Sequence, residues 1–427
     1  MNSRGAHTSK ARKRTGARHF DVIVVGGGAS GMMAALTSAE RGKRVLLLEK
    51  NRRLGEKLRI TGGGRCNVTN AEYDEHALLA KYGKSEQFLY SAFAQFGVKD
   101  TFAFFEERGL PLVVEAKKRA FPTTQKAADV CRVLEQALAK AGVEVRAATP
   151  VLRIEADKGR IVGIAVKGET LTADAYVLAT GGVSHPETGS TGDGFEWLRA
   201  LGHTVVAPSP EIVPLATKEK WSHALRGVSI ASAKILFLLN GKRAFSKEGP
   251  ILFTHFGVSG PTILNSSGRV ADLLQEGEVT ARIDCFPQLD EGALEAHILA
   301  IFDAEKNKLF KNVFRKIAPV GTHAALLLLL PQIDTEKKVH SITKEERKAV
   351  VKLLKALPLS ITGLLGLNRA VVADGGVILE EVDMKSMRSK LFSNLYLTGD
   401  LLHIRRPSGG YSLQLCWSSG FVAGSHV

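Results

Sequence analysis

The stretch DVIVVGGGASGMMAALTSAERGKRVLLLE, residues 21–49, constrains this chain more than any other. Val22 to Val25 is an unbroken apolar run entering a glycine cluster, the pattern of a strand buried on both faces of a parallel sheet. The spacing G-x-G-x-x-G falls on Gly26, Gly28 and Gly31. Gly26 permits the tight turn, Gly28 lets backbone approach a pyrophosphate, and Gly31 lets the next helix lie close on the sheet. Ala29 and Ser30 complete the turn, and the helix predicted over Met32–Ala39 aims its N-terminal amides at the phosphates. A second strand, Arg44–Leu48, ends in Glu49, whose carboxylate suits both hydroxyls of an adenosine ribose and repels a 2′-phosphate. Strand, glycines, helix, strand and terminal Glu in register predict a dinucleotide site. An ordinary βαβ unit is the alternative.

A chain of 427 residues, 44% hydrophobic and 24% charged, can bury a large core in one to three domains. Cys66, Cys131, Cys285 and Cys416 lie far apart without metal-ligand spacing, which predicts no metal, no disulfide scaffold and a reducing, cytoplasmic setting. Leu326 to Leu330 is too short to cross a bilayer and stops at Pro331, so no membrane partner is expected. The formal charge of +15 is partly local: residues 1–19 carry Arg4, Lys10, Arg12, Lys13, Arg14 and Arg18 with no acid. This tail reads as a disordered extension, with a weak nucleic-acid arm or organelle targeting as alternatives.

After Glu49, Lys50 opens a basic loop in which Gly62, Gly63 and Gly64 form a backbone surface, followed by Arg65, Cys66 and Asn67. Such a segment can lie along a pyrophosphate or flavin with its amides as donors. Phe88, Phe93, Phe96, Phe102, Phe104 and Phe105 read as a helical core, not a base-stacking platform. Lys117, Lys118 and Arg119 line an entrance or are solvated. The strand Ala175–Leu178 enters a second glycine turn at Thr180, Gly181 and Gly182, and Asp193 reads as a helix cap. Pro208, Pro210 and Pro214 mark a crossing out of the first domain, into β-like alternation over 212–285 and helical periodicity over 288–355. Strand character returns at Arg369–Leu379, and Leu395–Thr398 is a buried strand entering Gly399 and Asp400.

That returning acid shapes the expected chemistry. Asp400 can accept from a ribityl hydroxyl, while amides near Gly409, Gly410, Tyr411 and Ser412 can oppose the electron-rich side of a reduced flavin. A cofactor spanning the sheet fits FAD better than NAD alone. For catalysis the candidates are His403 and Arg405 in the C-terminal loop, His255 in GPILFTHFGVSGP, and Cys66 facing the flavin. Each has a plain structural alternative. Neither Cys66 nor Cys416 has a C-x-x-C partner, which argues against a disulfide reductase.

Taken together, VVGGGASGMMAA at 24–35, TGGGRCNVTN at 61–70, ATGGVSHPETGSTGDGF at 179–195, LFTHFGVSGPTIL at 252–264, GGVILEEVDMKSMRSKLFSNLYLTGDLL at 375–402 and SGGYSLQLCWSSGFVAG at 408–424 are far more specific than one glycine pattern. Over about residues 20–425 the sequence resembles the bacterial YhiN-like, BaiN/aminoacetone-oxidase-type FAD-binding family. The resemblance implies an α/β fold: a discontinuous, glutathione-reductase-like Rossmann-like FAD domain with an inserted β-barrel-like domain and a small helical domain. It implies boundaries of 20–205 and 368–427 for the FAD domain, 206–287 and 356–367 for the barrel-like part, and 288–355 for the helical part. Where the family often has Gly-Glu followed by Leu-Asp-x-Asp-Gly, this chain has Gly399-Asp400, then Leu402, His403, Ile404, Arg405 and Arg406. That change favours a more anionic or electron-rich ligand. Relatives reduce conjugated enones, are named for amine oxidation, or form dihydrouridine in ribosomal RNA. The expectation is an FAD-dependent reductase of an electron-poor C=C bond with NAD(P)H as transient donor, acting on a small molecule or ribosomal RNA as a monomer or weak homodimer. A peroxide-forming amine oxidase and a noncatalytic RNA-binding flavoprotein are the competing readings.

Overall fold

A computed structural model describes residues 19–366 and 372–427. The basic tail, apart from His19, and the chain junction expected near residue 368 lie outside the described residues.

Five parallel strands form the organising sheet, in the order Leu395–Leu397, Ala173–Leu178, Phe20–Val25, Val45–Leu48, Glu144–Arg146. Phe20–Val25 is central and buried along its length, which is why it reads as a continuous apolar run. The strand nearest the chain's end lies beside one from its middle, so the domain is discontinuous in sequence and Rossmann-like in topology.

The helix Ala29–Glu40 follows the first strand and packs along the last helix, Tyr411–His426. Their contact is made at backbone distance. A Cβ on Gly420 would lie 2.4 Å from the Ser30 carbonyl oxygen, and one on Gly424 2.5 Å from that of Ala34. A Cβ on Gly31 would meet the Gly26 oxygen at 1.8 Å, which explains the third glycine of the opening pattern. Polar groups buried by this packing are satisfied. Gln414 accepts from Thr69 Oγ1 at 2.6 Å and Thr101 Oγ1 at 3.0 Å, and Trp417 Nε1 donates to the Val68 carbonyl at 2.9 Å.

The helices at Glu86–Gln95 and Val98–Glu106 bury Phe88, Phe93, Phe104 and Phe105 in this core, with Phe102 partly buried against it. The chain leaves along Val205–Glu211 and returns along Val372–Val377, and these two crossings pair antiparallel. Between them, six antiparallel strands close into a barrel: Leu215–Thr217, Gly257–Ser259, Lys242–Thr254, Ser229–Leu239, Val279–Asp284 and Leu357–Leu364, the last pairing back to the first. Helices Glu291–Ala304, Phe310–Ile317, His323–Leu327 and Lys344–Lys355 lie between its last two strands in sequence. Phe302, Phe310 and Phe314 join them to a second hydrophobic core, shared with Phe237, Ile251 and Phe253 of the closed sheet. No helix among the described residues is long and apolar enough to cross a membrane.

Candidate active site

Four of the five parallel strands deliver polar backbone to one edge, their carboxyl ends: Gly26–Gly28, Glu49, Ala179–Gly181 and Asp400. Open α/β sheets bind ligands at that edge. Here it forms a cavity of about 750 Å³.

Glu49 is buried with its carboxylate fixed by two backbone amides, Gly27 N donating to Oε2 and Asn51 N to Oε1, each at 2.7 Å. Lone pairs remain for a ligand's hydroxyls. The helix Ala29–Glu40 begins at Gly28 without a side-chain cap, and a Cβ on Gly28 would meet nothing within 4 Å. The helix Tyr411–His426 likewise begins uncapped, at Gly410. Two sets of free amides therefore open on the cavity, where anionic groups are favoured. Thr180 lines the cavity, but its Oγ1 is turned away against Gly194, where a Cβ would come within 2.1 Å of it. Glycine cradles, uncapped amides and a fixed carboxylate fit a dinucleotide such as FAD.

Of the residues expected to hold the cofactor, Gly26, Gly28, Ala29, Ser30, Glu49, Lys50, Gly62, Arg65, Asn67, Thr180, Gly181, Asp400, Gly409, Gly410, Tyr411 and Ser412 line the cavity. Gly31, Gly63, Gly64, Cys66, Gly182 and Gly399 do not. Gly31 serves helix packing, and a Cβ on Gly399 would press on Ser30 Oγ at 2.9 Å. Lys50 Nζ donates to Asp193 Oδ2 at 2.8 Å and Thr191 Oγ1 at 2.5 Å. Asp193 is therefore an ion-pair partner, and the helix cap expected of it is absent: Gly192 occupies the N-cap. Asp400 is engaged by the buried guanidinium of Arg406, which also donates to Ser412 Oγ at 3.1 Å.

The four catalytic candidates all lie off the cavity lining. Cys66 is fully buried with φ 61°, and burial pushes its thiol up to about 12, which makes it a poor acid at neutral pH. His255 is exposed, its ring edge-on to Phe256 at 4.8 Å. His403 Nε2 lies 3.3 Å from Asp374 Oδ1. Arg405 pairs with the same Asp374, with Asp272 at 3.2 Å and with Glu211 at 3.5 Å. Arg405 thus ties the paired crossing strands to the helix Ser267–Glu276, and His403 reaches the same strand through Asp374.

Several lining residues escaped the sequence reading. Lys57 Nζ donates to Ser184 Oγ at 3.0 Å; burial lowers its pKa, and Asp400 works against that shift. Ile212, Pro261, Asn265 and Val372 reach the cavity from the crossing strands and the closed-sheet side. Asn265 Oδ1 accepts from Ser408 N at 3.1 Å and Ser408 Oγ at 2.9 Å, tying that side to the C-terminal loop.

The comparisons with known proteins agree with this geometry. The family described as HI0933-like protein Rossmann domain matches residues 20–426. The chain is similar to the 3-dehydro-bile acid delta(4,6)-reductase of Clostridium scindens, with 30% identity across 94% of this chain and 97% of that protein. It is 26% identical to the ribosomal RNA dihydrouridine synthase of Escherichia coli, across 94% of this chain and 96% of that one. Among solved structures, the 3-ketosteroid delta1-dehydrogenase from Sterolibacterium denitrificans has a TM-score of 0.53 at 16% identity, covering 96% of this chain and 99% of that one, a likeness of fold alone. The chain belongs to the HI0933-like family and is an FAD-dependent oxidoreductase.

Proposed function

We propose that this enzyme reduces an electron-poor C=C bond, drawing its electrons from NAD(P)H. The observation that carries the reading is one cavity with two unlike walls. Glycine backbone, Glu49 and Asp400 form the cofactor wall, while Ile212, Pro261, Asn265 and Val372 face it from the other side. An apolar wall with one amide suits a conjugated, largely apolar reactant placed against a flat cofactor. The similarity to a bile-acid reductase and an RNA dihydrouridine synthase points the same way, since both names describe saturation of a C=C bond.

FAD, when bound, supplies the two-electron chemistry: NAD(P)H is oxidised, and a hydride and a proton add across the double bond. The residues have separate tasks. Glu49 would accept from the adenosine ribose, and the free amides after Gly28 at the helix start would meet the pyrophosphate. Gly62, Arg65, Asn67, Thr180, Asp400 and the 409–412 loop hold the ribityl and flavin portion. Arg406 holds the Asp400 carboxylate in place through their ion pair. Lys57, held by Ser184, lies on the cavity wall, and Asp400 works against the lowering of its pKa by burial. In domain terms, we assign 20–205 and 368–427 to the cofactor half, 206–287 and 356–367 to a barrel-like insertion, and 288–355 to a helical one.

The reading is tested by comparing ribosomal RNA modifications and soluble metabolites in intact and deletion cells, then reconstituting the altered reaction with purified protein. A uridine left unreduced, or an accumulated conjugated carbonyl, is the expected result. Unchanged RNA and an accumulated amine would replace the reductase reading with an oxidase.

A further inference from the structure

Charge around the cavity is uneven. Glu49, Glu56, Asp193 and Asp400 line it, and all four carboxylates are engaged, by backbone amides, Arg53, Lys50 and Arg406 respectively. Lys81, Lys117 and Arg119 line it too, and none has an acidic partner among the described residues. The segments that carry them meet the C-terminal loop. Asn70 Nδ2 donates both to the Lys117 carbonyl at 3.1 Å and to that of Gly409 at 3.0 Å, and Tyr82, next to Lys81, donates its hydroxyl to the Tyr411 carbonyl at 2.8 Å. Arg119 follows in the adjoining strand, 5.7 Å from the Phe121 ring. This is also where Asn265 of the other half meets Ser408.

The turn that carries Lys117 is strained. Lys117 and Lys118 have φ of 61° and 58°, successive left-handed residues where glycine or asparagine would sit at less cost. The bond from Asn70, one from Ala71 N to the Lys118 carbonyl at 2.6 Å, and the Lys118–Glu72 ion pair hold it there. Lysine in that conformation keeps an unpaired ammonium on the cavity where the two halves meet.

We propose that Lys81, Lys117 and Arg119 form an anion subsite that recognises a negatively charged group on the substrate, a carboxylate or a phosphate ester. The inference rests on the reductase reading of the cavity, and its test reads binding separately from turnover. FAD-loaded protein without NAD(P)H is titrated with trans-3-benzoylacrylate, with its methyl ester, and with a short oligouridylate, following perturbation of the flavin spectrum. The combined variant Lys81→Gln, Lys117→Asn, Arg119→Gln should keep one FAD per chain and bind an anionic probe at least about tenfold more weakly, narrowing its advantage over the ester. Lys117→Asn alone, which suits the left-handed turn, should give a smaller loss in the same direction, and Lys117→Arg should restore binding.

A charge-dependent loss for benzoylacrylate identifies a carboxylate as the source, and one for oligouridylate alone identifies a phosphate ester. Acid, ester and oligouridylate affinities that do not respond to the three substitutions would overturn the subsite. Charge-dependent binding of a probe that is never reduced would leave the subsite standing and overturn the reductase reading instead.

Discussion

The two halves of this molecule are built on different contacts. In the cofactor half, main chain meets main chain: Gly31 lies against Gly26, Gly420 against Ser30, and Gly424 against Ala34. In the closed-sheet half, side chains fill the space, as where the Phe237 and Phe245 rings stack at 4.7 Å beside Ile251 and Phe253. The first kind of contact leaves no room for a Cβ. The second can be repacked, because a core tolerates apolar exchange when volume is nearly kept. The backbone contacts at Gly31, Gly420 and Gly424 are therefore less mutable than the side-chain core around Phe237.

Substitutions can break that comparison, the largest effect first. Glu49→Lys puts an ammonium where two backbone amides now meet a carboxylate, so FAD affinity should fall at least about a hundredfold while far-UV dichroism is kept. Flavin retained at one per chain would contradict the role given to Glu49. Gly420→Val drives a side chain into the Ser30 carbonyl and should cost about 3 kcal/mol in urea unfolding, with flavin release accompanying it. Phe237→Leu in the closed sheet should cost only about 1 kcal/mol and leave flavin stoichiometry alone.

Between those last two falls an electrostatic test at the junction. Glu211 is buried, and burial with Asp374 beside it raises its carboxyl to about 7. A folded pKa raised above the ordinary 4.5 gives stability that is complete below pH 4.5 and lost as pH rises through about 7. Glu211→Gln should remove that loss, so stability between pH 5 and 8 flattens by up to about 3 kcal/mol. Arg405 keeps Asp272 and Asp374 as partners in the variant. A parent protein whose stability does not fall over this interval would contradict the assigned environment of Glu211.

The same contrast explains what was legible in the sequence. A cradle made of backbone demands glycine, and glycine is visible, so Gly26, Gly28, Gly62, Gly181, Gly409 and Gly410, which line the cavity with Glu49 and Asp400, are legible in the sequence. Side chains that reach the cavity through tertiary approach carry no such signature. Lys57 lies inside an evidently basic loop, and Pro261 and Asn265 follow a glycine turn without any mark of their own. The sequence cannot reveal that Asp374, Asp272 and Glu211 converge on Arg405 from three other segments, or that His403 lies beside Asp374. For Lys117, Lys118 and Arg119 the sequence allows both an entrance and a solvated position. Two of them line the cavity, and Lys118 pairs with Glu72.

Anaerobic titration of the flavin tests the central claim most directly. Protein-bound FAD is reduced with NAD(P)H, excess nucleotide is removed, and a conjugated keto acid or an amine is added in the absence of oxygen. The account predicts reoxidation by the keto acid, one equivalent per flavin, with the saturated product formed and no peroxide. Reduced flavin left unchanged by electron-poor alkenes, while oxidised flavin is bleached by an amine and restored by oxygen with peroxide release, would contradict it.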